Sequence, residues 1–162
     1  MNKPTWHFAA LATSLVIASG CATTPPPPAS VADTIARTPE LSTLSKLVSD
    51  AGLADTLRGP GPFTVFAPTD AAFKSVPAAA LTALGSDKER LKAVLMYHVV
   101  PTRVLTADVK NGPAKTAQGG NVALARAGAF VTIDEAIVTS PDIAATNGVV
   151  HVVDRVLTPP AR

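Results

Sequence analysis

Few side chains in this sequence can carry a reaction. Its 162 residues include three histidines and one cysteine. His7 and Cys21 fall in a leader-like N-terminal stretch, which leaves His98 and His151 as the imidazoles able to move a proton. Their possible carboxylate partners are Asp70 for His98 and Asp154 for His151. A small hydrolase using His98 with Asp70 would also need a nucleophile and an oxyanion site. No Gly-x-Ser-x-Gly elbow supplies the first. No His-x-x-x-His pair occurs, so a metal held by nitrogen or thiolate ligands has no support. Gly59-Pro-Gly-Pro62 has the glycines of a phosphate loop, but its prolines remove the N–H groups that such a loop needs. No cofactor or metal is expected. The competing reading of both histidines is structural: a buried imidazole satisfied by hydrogen bonds. Leu91, Val94, Leu95 and His98 recur at helical spacing, and His151 stands inside Val149-Val-His-Val-Val153. In that reading His98 bonds near Thr69 or Asp70 and locks a helix to a strand.

The elements that would position these residues follow from patterning. Gly59-Pro-Gly-Pro-Phe-Thr-Val-Phe-Ala-Pro-Thr-Asp-Ala-Ala-Phe73 reads as turn, strand, corner and short helix. Phe63-Thr-Val-Phe66 suits a buried strand, and Pro68 ends it. Thr69 takes the N-cap position, with Asp70 in the first turn where the helix dipole favours a negative charge. Upstream, Ser30-Val-Ala-Asp33 is a cap with a carboxylate three residues on. Thr38-Pro39 begins a helix carrying Leu41, Leu44, Leu47 and Val48, which Gly52 can end. Pro77 starts another helix with Leu81 and Leu84, ended by Gly85. Ser86-Asp-Lys-Glu89 matches a capping box for a helix that runs to Pro101.

From Val104 the pattern becomes one of short strands and turns: Val122–Arg126, Phe130–Ile133, Ala136–Thr139 and Val149–Val153. Asn147-Gly148 is the strongest local hairpin signal, and Asn147 reads as a turn residue. Helices first and strands later predict an α+β domain, with short N-terminal helices packed on a sandwich or wedge of short strands. Phe63–Phe66 and Val149–Val153 cannot bury their side chains locally, so both belong in one core sheet.

Three segments in the right order resemble the fasciclin-like domain family. The Gly59–Phe73 stretch is similar to its first signature, Leu95-Met-Tyr-His-Val-Val100 to its tyrosine–histidine motif, and Thr146-Asn-Gly-Val-Val-His-Val-Val-Asp-Arg-Val-Leu157 to its second signature. The resemblance covers residues 30–159. It implies a compact α+β fold used for adhesion and binding, without chemistry of its own. It also implies Tyr97 and His98 as candidate partner-binding residues, and Thr69, Asp70, His98, Asn147, Gly148 and His151 as the structural motif. Tyr97 otherwise reads as an amphipathic side chain at the domain edge. The expected partner is a protein or a cell-envelope polysaccharide.

Residues 1–20 read as an export signal. Phe8–Ala18 is an apolar run of h-region length, too short to span a bilayer comfortably. Ala18-Ser-Gly-Cys21 resembles a bacterial lipobox, making Cys21 the lipid-attachment site, although Ala18 replaces the usual leucine. Residues 21–30 form a tether whose four prolines favour a polyproline II rod, and 160–162 form a tail. Ala22 after the cysteine points to the outer membrane, facing the periplasm or the surface. A single cysteine excludes an intrachain disulfide. Hydrophobic residues make up 47% of the chain but aromatics only 4%, so Ala and Val must supply much of the packing. The net charge of +2, with no basic stripe, gives no footing for nucleic acid. A monomer is expected.

Overall fold

A computed structural model of the chain describes residues 29–159. The leader, Cys21, most of the tether and the tail lie outside the described residues. The helices are α1 (Val31–Arg37), α2 (Ser42–Asp50), α3 (Ala54–Arg58), α4 (Asp70–Lys74), α5 (Ala78–Ser86) and α6 (Lys88–Tyr97). The strands are β1 (Phe63–Pro68), β2 (Val99–Val100), β3 (Gly112–Lys115), β4 (Asn121–Ala127), β5 (Phe130–Ile133), β6 (Ala136–Ala145) and β7 (Gly148–Val153). They form one sheet in the order β2-β1-β7-β6-β5-β4-β3. The expected α+β organisation is what the structure has, and β1 and β7 are direct neighbours. They run parallel from Phe63↔Gly148 to Pro68↔Val153.

The alternation of side chains across a strand divides the core in two. Val65 and Ala67 of β1 and Val150 and Val152 of β7 face the helices, where they meet Val31, Ile35, Leu41, Leu44, Leu91 and Leu95. Phe66 of β1 and Val153 of β7 face the other way, into a cluster with Val122, Leu124, Ile133 and Leu157. That second cluster joins β1 to β4, which are four places apart in the sheet, so the sheet must curl over it into a wedge. Every residue of β7 is buried, His151 among its valines included, as a strand covered on both faces requires.

Several local readings change. Ser86 does not cap α6; it completes α5, and Asp87 is the cap, accepting the Arg90 N–H at 3.1 Å. The extended backbone of Asp87 (φ −116°, ψ 97°) is the real break between the two helices. Helix α6 stops at Tyr97 rather than reaching Pro101. Val99 and Val100 instead pair with Val65 and Thr64 of β1, and the ladder replaces a further helical turn. Strand β6 is longer than the four-residue run expected and continues through Pro141. The proline is tolerated because the register shifts between Ser140 and Ile143, and a bulge needs no N–H at that point.

β7 bonds to a strand on each side, β1 and β6, so no subset of the remaining strands closes a core. A chain ending at Asn147 is expected to show no cooperative thermal transition by circular dichroism. A cooperative melt in that chain would mean that the core assembles without its central strand.

Candidate functional site

The first-signature corner is fixed by capping. The Thr69 hydroxyl accepts the Ala72 N–H at 3.1 Å and so starts α4. Asp70 turns away to the neighbouring helix, where its carboxylate accepts the Ser42 hydroxyl (2.7 Å) and the Thr43 N–H (2.8 Å). These bonds, the Ser42 hydroxyl foremost, hold its pKa below the usual carboxylate value. The Asp70 side chain thus supplies an N-terminal cap for α2, whose first turn has no side-chain cap from Leu41.

His98 does not bond to Thr69 or Asp70. It is 2% exposed, its Nδ1–H donates to the Val94 carbonyl (2.8 Å), and its Nε2 accepts the Leu157 N–H (2.9 Å). Its phase at the end of α6 points the ring at the C-terminal segment rather than at the corner. The His98–Asp70 acid–base pair is therefore not assembled, and no ring nitrogen of His98 is left to take a substrate proton. Burial pushes the imidazole pKa down to about 4, partly opposed by the Val94 carbonyl.

His151 takes the opposite tautomer. Its Nδ1 accepts the Asp142 N–H (3.1 Å), and its Nε2–H donates to the Val104 carbonyl (2.8 Å). Its ring stacks on Phe66, with centroids 5.4 Å apart. Burial lowers its pKa, against the Val104 carbonyl and the Asp142 charge. Asp154 is elsewhere, accepting the Ile137 N–H (2.7 Å), so the second possible acid–base pair is not formed either. Asp142 sits in the β6 bulge at φ 56° and binds the hydroxyl and N–H of Thr106.

Asn147 is more than a turn residue. Its Oδ1 accepts the Val31 N–H (2.8 Å), and its Nδ2 donates to the Leu57 and Gly59 carbonyls (2.8 Å each). Its own carbonyl accepts the Phe63 N–H at 3.0 Å. One side chain thus ties α1, the end of α3 and the approach to β1 to the β6–β7 connection. The hairpin that Asn147-Gly148 signals is formed, with Ala145 paired to Gly148, although neither residue has a positive φ. Gly148 is required for space: a Cβ there would overlap the Phe63 carbonyl oxygen.

Tyr97 is not at the domain edge. It is 3% exposed, and its hydroxyl donates to the Asn121 carbonyl (2.9 Å), with the Asp134 carboxylate at 3.3 Å. Burial and the Asp134 charge raise its pKa. Burial withdraws Tyr97 and His98 from direct contact with a macromolecule, except where Tyr97 forms part of a cleft wall. That cleft, of about 370 Å³, is also lined by Asp134, Glu135, Arg155, Val156 and Thr158. A second cleft of about 540 Å³ adjoins it across Glu135, Arg155 and Val156, and extends to Ala72, Val76 and Asp154. Sequence reasoning did not find these clefts, because their walls come from α4, α6, the start of β6 and the segment after β7.

Among the described residues no group of histidines, cysteines and carboxylates is arranged to hold a metal ion, and no helix is long and apolar enough to cross a membrane. The profile of the Fasciclin domain matches residues 39–159. The chain is 40% identical over 121 residues to Protein sll1483 of Synechocystis, covering 74% of this chain and 67% of that protein. It is 36% identical over 137 residues to the cell surface glycolipoprotein MPB83 of Mycobacterium bovis, covering 82% of this chain and 61% of that one. In structure it is similar to a FAS1 domain pair from the insect cell adhesion molecule Fasciclin I, with a TM-score of 0.66 and 18% identity over 81% of this chain and 51% of the other. At that identity the likeness bears on the fold alone.

The depressed imidazole pKa values make stability depend on pH. His98 in the fold binds its proton near pH 4, and in the unfolded chain near 6.5. Between these values the unfolded state holds the extra proton, so stability rises with pH. The His98 contribution is complete above about pH 6.5 and is lost as pH falls towards 4. At about 1.4 kcal/mol per unit, this removes about 3 kcal/mol, with His151 adding a loss of the same sign. Urea midpoints at pH 7.5 and 4.5 should differ accordingly, and the His98 ring resonances should stay neutral at pH 5.5. A midpoint constant across that range would show that the ring charges without cost.

Proposed function

The chain belongs to the fasciclin domain family, and from that premise we propose that it is a non-enzymatic binding module of the cell envelope. Its partner on this reading is a protein or an envelope polysaccharide. The observation that carries the proposal is the fate of the reactive side chains. Both described histidines have each ring nitrogen committed to main-chain hydrogen bonds, and Asp70 is used as a helix cap. Spent on holding the fold, these three side chains are not free to activate a nucleophile. What the fold offers instead is a shaped surface on a rigid sheet.

The leader and the lipobox-like Ala18-Ser-Gly-Cys21 support an envelope location. One similar protein is named as a cell surface glycolipoprotein. We place the mature chain on the envelope as a monomer, held by a lipid on Cys21 with the proline tether as spacer, in the outer membrane. One lipidated terminus with two or three acyl chains suffices for stable anchoring.

Two outcomes are expected. Cys21→Ser should leave the precursor uncleaved and unlipidated, so that its mass retains residues 1–20 and lacks the acyl chains. Mass spectrometry of an unmodified mature N-terminus at another residue would overturn the anchor. The purified domain should capture a partner from envelope extract and turn over no member of an ester or glycoside panel. Turnover abolished by His98→Ala would replace the binding module with an enzyme.

A further inference from the structure

The two adjoining clefts share a wall with an unusual main chain. Residues Arg155–Thr158 belong to no helix or strand. Leu157 is anchored: its side chain is buried in the second core cluster, and its N–H is held by His98. Among the described residues, the N–H groups of Arg155, Val156 and Thr158 have no hydrogen-bond partner, and neither do the four carbonyls of this segment. Unpaired main chain that continues from the end of β7 beside a groove offers donors and acceptors to an extended peptide, as a sheet edge does. Ala72, Val76 and Val156 contribute apolar patches to the walls of the groove.

Charge narrows the occupant. Although the chain carries a net charge of +2, residues 134–159 hold four acids, Asp134, Glu135, Asp142 and Asp154, against Arg155 alone. Three of those acids line the clefts. Arg155 offsets little of this, since its guanidinium meets Glu135 at 3.8 Å with both side chains largely exposed. Asp134 and Asp154 each keep one oxygen in a main-chain bond, which fixes the carboxylates in place instead of leaving them to swing in solvent.

We infer that this groove takes an extended basic peptide segment, paired with the main chain of Arg155–Thr158, whose Lys or Arg side chains meet Glu135, Asp134 and Asp154. This rests on the binding-module reading above and names the class of partner. The main-chain ladder would supply affinity, and the acidic rim would supply selection and a salt-sensitive on-rate.

The test uses the full chain and a fluorescein-labelled decapeptide of alternating lysine and threonine. Three controls accompany it: the glutamate–threonine counterpart, the lysine peptide N-methylated at alternate residues, and the variant Glu135→Lys. Glu135 is 91% exposed at its side chain, so its replacement leaves the fold intact, which the thermal midpoint checks. Expected by anisotropy are saturable binding of the lysine peptide that weakens with salt and no binding of the acidic peptide. N-methylation and Glu135→Lys should each cost tenfold or more in affinity. Amide shifts on titration should centre on Arg155–Thr158. No binding, equal binding of both charge types, or indifference to N-methylation or to Glu135→Lys would overturn the inference. So would concentration-dependent sedimentation that Glu135→Lys abolishes, because the groove would then serve a second copy of the chain. The envelope capture experiment, repeated with Glu135→Lys, separates the two readings. A partner retained by the variant leaves the binding module standing and removes this groove as its site.

Discussion

Parallel pairing of β1 with β7 holds the two ends of the domain together. It joins segments more than 80 positions apart in sequence, so its loop-closure cost must be met by everything that the closure buries. The return is large because both strands are buried on both faces: the helices cover one side and the curled β3–β5 sheet the other. Two glycines make the approach possible. A side chain at Gly148 would run into the Phe63 carbonyl, and one at Gly61 into the carbonyl of Asn147. The signature segments are thus two halves of one contact, which explains why the strand-like runs lie at opposite ends of the domain.

Close packing of distant segments leaves main-chain groups that no ladder can reach, and polar side chains satisfy them. Asn147 answers Val31, Leu57 and Gly59. His98 answers Val94 and Leu157, and His151 answers Val104 and Asp142. No buried side-chain polar atom among the described residues lacks a partner. Each imidazole acts as a donor on one nitrogen and an acceptor on the other, which only the neutral ring can do. The need for that neutral ring removes both histidines from proton transfer at neutral pH. Structural and catalytic uses of the same imidazole compete here, and the structural use has taken both nitrogens.

Much of the architecture was legible in the sequence because it is written in local terms. Ser30 and Thr69 cap helices from their predicted positions, since a cap depends on residues three apart. The apolar run of β7 announced a strand buried on both sides. What stayed hidden depends on distance. Nothing near Asp70 says that its carboxylate caps α2, because Ser42 and Thr43 lie 28 and 27 residues away. Nothing near His98 points to Leu157, 59 residues on. One local signal held for a different reason: Asn147-Gly148 marks the β6–β7 hairpin, closed by Ala145↔Gly148, yet without a positive φ, and the two residues serve side-chain bonding and space. The clefts were illegible for the same reason, as their walls are assembled from four separate segments.

The Pro68–Thr69 corner has a consequence on the far side of the sheet. β1 ends at Pro68 because the proline has no N–H to extend the ladder and Thr69 turns the chain into α4. The last main-chain bond across this edge runs from the Thr69 N–H to the Val153 carbonyl. Beyond Val153 the chain therefore has no strand beside it on the β1 side. On the β6 side Asp154 closes the ladder with its own side chain and N–H on Ile137. Arg155–Thr158 is left between these two stops, kept in place at Leu157 by a buried side chain and by His98, while the rest of its main chain makes no hydrogen bond among the described residues. An unpaired segment that is nonetheless rigid costs the fold little and preserves an edge for another chain. The residues that end β1 and start α4 are thus also the residues that leave the groove unfilled.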